Sequence, residues 1–220
     1  MSHKLDFVKE ALAKCKAAQD EATAAWHDKE PLDTKDVCSP GLEKGEDGEA
    51  SLVAIALVQH LMNFKLWHTE DQARRKDVGD DVIAGCKRTI DGFNQRRNDF
   101  MEKVDACIVN MCLPHLPQLK SGENARYNTE SIGAAVDRMS IISLKAYHMQ
   151  EETERTDVNA AHIESCKEKL ATLHEQRNDL FTSILELVDD YASGAKRPRI
   201  YYQFKMYNDP KLNPAVYKNK

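Results

Sequence analysis

The sequence lacks the signatures that announce most chemistries. It has no GxGxxG, no P-loop, no GxSxG and no HExxH, which removes the dinucleotide, phosphate-loop, serine-hydrolase and zincin sites recognisable from sequence. Its six cysteines (15, 38, 86, 107, 112 and 166) include no CxxC pair, so neither a zinc ribbon nor a thioredoxin-type site is indicated. No run of 18 apolar residues occurs, so no membrane span is expected. The start, MSHKLDF, has no apolar signal region, and a cytoplasmic protein with reduced cysteines is expected. Basic charge is not in excess either. Lys and Arg number 31 against 36 Asp and Glu, a net charge of −5, which argues against general nucleic-acid binding. Proline (7) and glycine (9) are scarce, and within the helical patterns only Gly85, Gly92 and Gly133 interrupt.

What the chain does have is a copy of itself. Shifted by 80 residues without a gap, 65–99 matches 145–179 at eleven of 35 positions: Lys65, His68, Arg75, Asp77, Val78, Ile83, Cys86, Lys87, Arg97, Asn98 and Asp99 recur as Lys145, His148, Arg155, Asp157, Val158, Ile163, Cys166, Lys167, Arg177, Asn178 and Asp179. Repeats decide architecture before motifs do.

Each copy reads as a helical hairpin. Ala54, Leu57, Leu61, Phe64, His68, Asp71 and Arg75 alternate spacings of three and four, which sets them on one helical stripe. After a turn at Asp77-Val78-Gly79, with Asp77 as expected N-cap, a second seam runs from Ile83 through Cys86, Ile90, Phe93, Arg97, Phe100, Val104 and Cys107 to Met111. The other copy has Ala134, Asp137, Ile141, Leu144, His148, Glu151 and Arg155, then Ile163 through Cys166, Leu170, Leu173, Arg177, Leu180, Ile184 and Leu187 to Tyr191. Short turns make each pair antiparallel, and two one-sided hairpins bury each other. The expected fold is all-α: an antiparallel four-helix bundle from two repeated hairpins, plus an N-terminal helix and an ordered C-terminal tail.

The divisions follow: 1–50, a helix with Leu5, Val8, Leu12 and Cys15 on one face and then an acidic loop; 51–192, the bundle, with hairpins at about 51–112 and 130–192; and 193–220, a tail of aromatic and basic residues. LPHLP at 113–117 stops the second helix, Asn128-Thr129 are the expected caps of the third, and Ser193-Gly194 ends the fourth. The tail's Tyr201, Tyr202, Phe204, Tyr207 and Tyr217 are expected to dock on the bundle rather than stack on bases.

Polar groups interrupt both copies of the seam at matching places, and a buried charge needs a partner. Three site readings follow for the hairpin end. His68, His148, Cys86 and Cys166 offer nitrogen and thiolate ligands for a tetrahedral divalent metal. His68 and Asp71 with His148 and Glu151 offer a two-His, two-acid metal site. Adding Arg75, Arg155, Lys87 and Lys167 gives a site for a small anionic ligand. The bland alternative is self-satisfied pairing, Asp71 with Arg75 and Glu151 with Arg155. Lower in the bundle, Arg97, Arg177 and Asp137 are expected to be structural, with Arg177 on Asp137. His60, His115, His162 and His174 have no evident partners. These observations point to a cytosolic helical binding module with a polar core site. A metal-dependent enzyme at that site, or an assembly protein with no small ligand, are the alternatives; a protein partner is also open, and the oligomeric state is not encoded legibly.

NFKLWHTEDQARR, ARYNTESIGAAVDRMSIISLKAYHM and YYQFKMYNDPKLNP together resemble a bacterial family known as domain of unknown function 4254, from about residue 50 to the end. The resemblance implies a bacterial, single-domain protein and carries over no catalytic residue.

Overall fold

The computed structural model describes residues 3–44, 48–119, 124–204, 206, 209 and 211–218, and among these the chain is helix and turn without strands. Helix α1 is Asp6–Asp28, α2 Glu49–Ala73, α3 Asp80–Cys112, α4 Ile132–Thr153 and α5 Ala160–Ser193, followed by a single turn, α6, Pro214–Tyr217.

The 80-residue repeat is visible in the backbone. α2 stops at Ala73 and α4 at Thr153; α3 starts at Asp80 and α5 at Ala160. The caps match closely: Arg74 (φ −92°, ψ −2°) against Glu154 (φ −98°, ψ −2°), and Gly79 (φ −78°, ψ 163°) against Asn159 (φ −80°, ψ 161°). The N-cap of α3 is therefore Gly79, not Asp77. Asp77 instead takes a forked pair of bonds from Arg75, at 3.0 and 2.7 Å, and Asp157 takes the same fork from Arg155, at 3.0 and 2.8 Å. That fork locks the hairpin turn in both copies. It also overturns the i,i+4 pairs expected of Arg75 with Asp71 and Arg155 with Glu151, because the turn aspartates lie only two residues on and match the guanidinium plane.

Helix directions follow from which residues meet. Lys14 in the first half of α1 pairs with Glu49 at the start of α2, Thr23 further along meets His60, and His27 at the end of α1 meets His68 and His148. His60 bonds Ser140 at 2.7 Å, and the His68 and His148 rings lie 5.7 Å apart. α1, α2 and α4 therefore run parallel, with α3 and α5 returning. Both of the last two pairs are separated by 80 residues, so the approximate two-fold axis runs along the bundle between α2 and α4.

α2 is the central helix, and its buried residues lie all round it. By length and composition alone α2 could cross a membrane, but 72% of its most apolar 18-residue window is buried inside the protein, as in a core helix. α1 is a full member of the core. Leu5, Val8, Leu12 and Cys15 are each at most 1% exposed, and α1 packs on both α2 and α4, in the groove that symmetry would give to α5.

α4 begins under tight constraint. Its N-cap is Ser131, which accepts from the Ala134 amide, rather than Asn128 or Thr129. Asp105 of α3 accepts the Gly133 amide at 2.7 Å. A Cβ on Gly133 would lie 2.4 Å from the Met101 carbonyl oxygen and 2.8 Å from Asp105 Oδ1. Because one obstacle is backbone, Gly133→Ala is expected to destabilise by about 1–3 kcal/mol in urea unfolding, and an unchanged midpoint would show that α3 and α4 separate freely. At the same end of the bundle, Gly194 (φ +82°) closes α5 in the left-handed conformation.

The start of the tail runs along residues 126–128 of the crossover. Arg197 N–H donates to the Arg126 carbonyl at 2.8 Å, Arg199 lies 3.7 Å over the Tyr127 ring, and Tyr201 donates to the Asn128 carbonyl at 3.2 Å. Two of its described aromatics do not dock as expected: Tyr202 and Phe204 remain 57% and 79% exposed. The tail is held by hydrogen bonds instead. Tyr207 and the Tyr217 side chain lie outside the described residues.

Candidate functional site

Three histidines converge at the hairpin end, from the parallel helices α1, α2 and α4. Their ligand nitrogens lie within 4.8 Å of one another, and all three residues are half-buried. His27 Nδ1 donates to its own helix, to the Thr23 carbonyl at 2.6 Å. His148 Nδ1 donates to the Glu151 carboxylate at 2.7 Å. Both partners only accept, so the proton of each neutral ring is on Nδ1 and the lone pair is on Nε2. These two Nε2 atoms face each other at 3.2 Å. Two lone pairs at that distance repel unless a proton or a cation lies between them. Two nitrogens on one tetrahedral ion, at about 2.0–2.1 Å each, are separated by about 3.3 Å.

Aromatic rings hold the pair in place. Tyr147 stacks on His27 (centroids 3.9 Å, 17°) and Trp67 on His148 (4.8 Å, 12°). Trp67 and Tyr147 are repeat partners, and His27 occupies the ring face that symmetry would give to His68. Burial, and then His27 and His148, hold His68 below its usual 6.5, against Asp71 and Glu30. A neutral His68 is a ligand rather than a charge. Three helix C-termini also point this way, which favours a cation.

A second cluster lies on α4 and α5. His162 Nε2 is 3.0 Å from Glu152 and 3.4 Å from Cys166 Sγ. Glu152 is held below the carboxylate range by Arg155 and then His162. The other copy has Gln72, Val82 and Cys86 at these places, so the cluster occurs once.

The sites expected from sequence are rearranged accordingly. His68 and His148 meet, with His27 beside them. Cys166 turns to His162, and Cys86 lines a separate cavity with His68, so the two-His, two-Cys set does not assemble. Glu151 holds His148 from behind, while Asp71 is exposed in a cleft with Arg74 and Arg97. Arg75 and Arg155 are engaged at the turns. Lys87 pairs with Asp91 and Lys167 with Glu164 on the outside. The anionic-ligand set is thus dispersed.

The arginine layer is buried, but its pairing differs from expectation. Asp137, 4% exposed, is gripped by Arg97, not Arg177, with the Asn63 amide at 2.9 Å and the Gln59 amide also donating. Symmetry would place Leu57 opposite Arg177, which offers no acceptor. Asp20 of α1 supplies the carboxylate at 2.6 Å, and the Lys16 and Met139 carbonyls complete the shell. Between the two arginines, Asn63, Ser140, His60, Thr23 and Ser143 form a row of polar groups from Asp137 to Asp20, with successive atoms 2.7–3.1 Å apart.

Sequence reasoning missed His27, His60 and Asp20. The apolar stripe of α1, continued past Cys15, passes through Gln19, Thr23 and Trp26, all buried. Those polar residues on a seam were the available signal.

No curated protein and no solved structure matches the chain. A family model described as "Protein of unknown function (DUF4254)" matches residues 53–200, from α2 to the start of the tail, leaving α1 with His27 outside the match. Since that match takes in both hairpins and most of the chain, the protein belongs to the DUF4254 family.

Proposed function

We propose that this protein is a helical metal-binding module in which His27, His68 and His148 hold one divalent cation of the zinc type at the hairpin end of the bundle. The observation that supports it is the facing pair of Nε2 atoms at 3.2 Å, each freed by a hydrogen bond at Nδ1. Metal-bound histidines are typically oriented in this way, through a carboxylate or a carbonyl. Three histidines leave a coordination position for water or substrate. That feature favours the second reading, a metal-dependent enzyme, because His148 also lines a cavity of about 620 Å³.

The test is Zn²⁺ titration of tag-free protein, followed by calorimetry and thermal unfolding. One equivalent is expected to bind, with stabilisation of about 2.7 kcal/mol at a hundredfold excess over Kd. Glu151→Gln is expected to weaken binding about 10–100-fold, and His27→Ala with His148→Ala to abolish it. His162→Ala is the control. Equal Zn²⁺ response in wild type and the double variant overturns the reading. Loss of response in His162→Ala moves the site to the second cluster.

A further inference from the structure

The repeat gives the protein two equivalent cavities, one in each hairpin, and they differ in what fills them. Lys65, His68, Thr69, Gln72, Thr89 and Phe93 line the first; Lys145, His148, Met149, Glu152, Lys169 and Leu173, each 80 residues on, line the second. The first measures about 300 Å³ and the second about 620 Å³.

The chain leaving α1 accounts for the difference. Lys65 Nζ donates to the Glu30 carboxylate at 3.0 Å and to the Pro31 carbonyl at 2.8 Å, and its side chain is 14% exposed. The first cavity thus already holds a carboxylate, brought by the protein's own 29–31 segment. There is one α1 for two hairpins, so the second cavity receives no such segment. Lys145 has no hydrogen bond or ion pair among the described residues. Lys169 adds a second cation at the rim, where the first copy has Thr89. Of the two acids on the wall, Glu152 is already engaged by Arg155 and His162, and Glu168 is exposed to solvent. Trp67, Met149 and Leu173 provide an apolar floor.

We infer that the second cavity binds a small carboxylate with an apolar body, its carboxylate on Lys145 as Glu30 lies on Lys65, and its body against Trp67, Met149 and Leu173. The lysine supplies charge-assisted hydrogen bonds, and the floor supplies burial. The proposal needs no ion at the histidines and is tested without one.

Full-length, tag-free protein in chelator is titrated with hexanoate, phenylacetate and indole-3-acetate, with their matched amides, and with inorganic phosphate. Calorimetry is one readout. Emission of Trp67 in a Trp26→Phe background, which removes the other of the two tryptophans, is the second. At least one acid is expected to bind saturably and perturb Trp67, its amide and phosphate binding about tenfold more weakly or not at all. Lys145→Met is expected to weaken the acid about tenfold, whereas Lys65→Met leaves it unchanged. The proposal is overturned by absence of saturable acid binding, by amides binding as well as acids, by indifference to Lys145→Met, or by binding that appears only when Zn²⁺ replaces chelator. That last outcome would place the acid on a histidine-bound metal and leave the metal reading standing.

Discussion

Asp137→Ala is expected to cost about 3–5 kcal/mol in urea unfolding, because it leaves an arginine unpaired in a mostly buried layer. The carboxylate is the meeting point of three helices. Arg97 arrives from α3 with two bonds, and Gln59 and Asn63 from α2, onto an α4 side chain that is 4% exposed. Removing it strands donors on both neighbouring helices. A typical domain has about 5–15 kcal/mol in total, so the variant is expected to be partly unfolded at physiological temperature. The cost belongs to the broken pair, not to charge itself. Asp137→Leu combined with Arg97→Met removes both charges and is expected to recover the part of the loss due to the stranded guanidinium, while the Gln59 and Asn63 amides still lack this acceptor. A single-variant loss below about 1 kcal/mol would instead mean that solvent already screens the pair.

His60 is expected to make the fold acid-sensitive. It is wholly buried, which disfavours the charged ring. Thr23 Oγ1 donates to the Gln19 carbonyl, so His60 Nε2–H donates to Thr23, and His60 Nδ1 accepts from Ser140, which in turn accepts from Asn63. Burial, then Arg177 and His27, pull its pKa from 6.5 to about 3. The folded value lies below the unfolded one, so the stabilisation is complete above 6.5 and is lost as pH falls toward 3. Asp105 acts in the opposite direction. Burial raises it from 3.8 to about 6, so the folded state gains as pH falls between those values. The measurement is therefore the difference between wild type and His60→Gln, which cancels Asp105. That difference is expected to move against wild type by about 2 kcal/mol from pH 7 to pH 5. A difference independent of pH would show that His60 is protonated in the fold, or reached by water.

The hairpins were legible because their information is local. Apolar spacing of three and four fixes a helical face, and a gap-free repeat fixes two equal turns. Heights along the bundle were legible too: His68 and His148 share one level because each lies nine residues before the cap at Asp77 or Asp157 was expected, and the real caps moved together. Azimuth was not legible. Asp137 and Arg177 stand at matched heights, but Asp137 faces α2 and α3 while Arg177 faces α1. Nothing in one sequence says which side of a stripe a neighbour occupies. His27 was hidden for a related reason. It has no twin in the repeat, and the nitrogen it faces lies 121 residues away on α4. Cys86 and Cys166 looked alike in sequence, and a single local difference, His162 against Val82, sent one of them to a partner the other does not have.

The position of α1 also orders events in time. Each hairpin closes a short turn and is built from near neighbours, the kind of contact that forms early. α1 docks through contacts such as Arg177 with Asp20, 157 residues apart, and His27 with His148, 121 apart, and long closures come at a greater entropic cost. A nascent or partly unfolded chain thus has hairpins before it has the three-histidine cluster. A cation held there, as proposed, would report on completion of the whole molecule, because no half of it contains all three histidines.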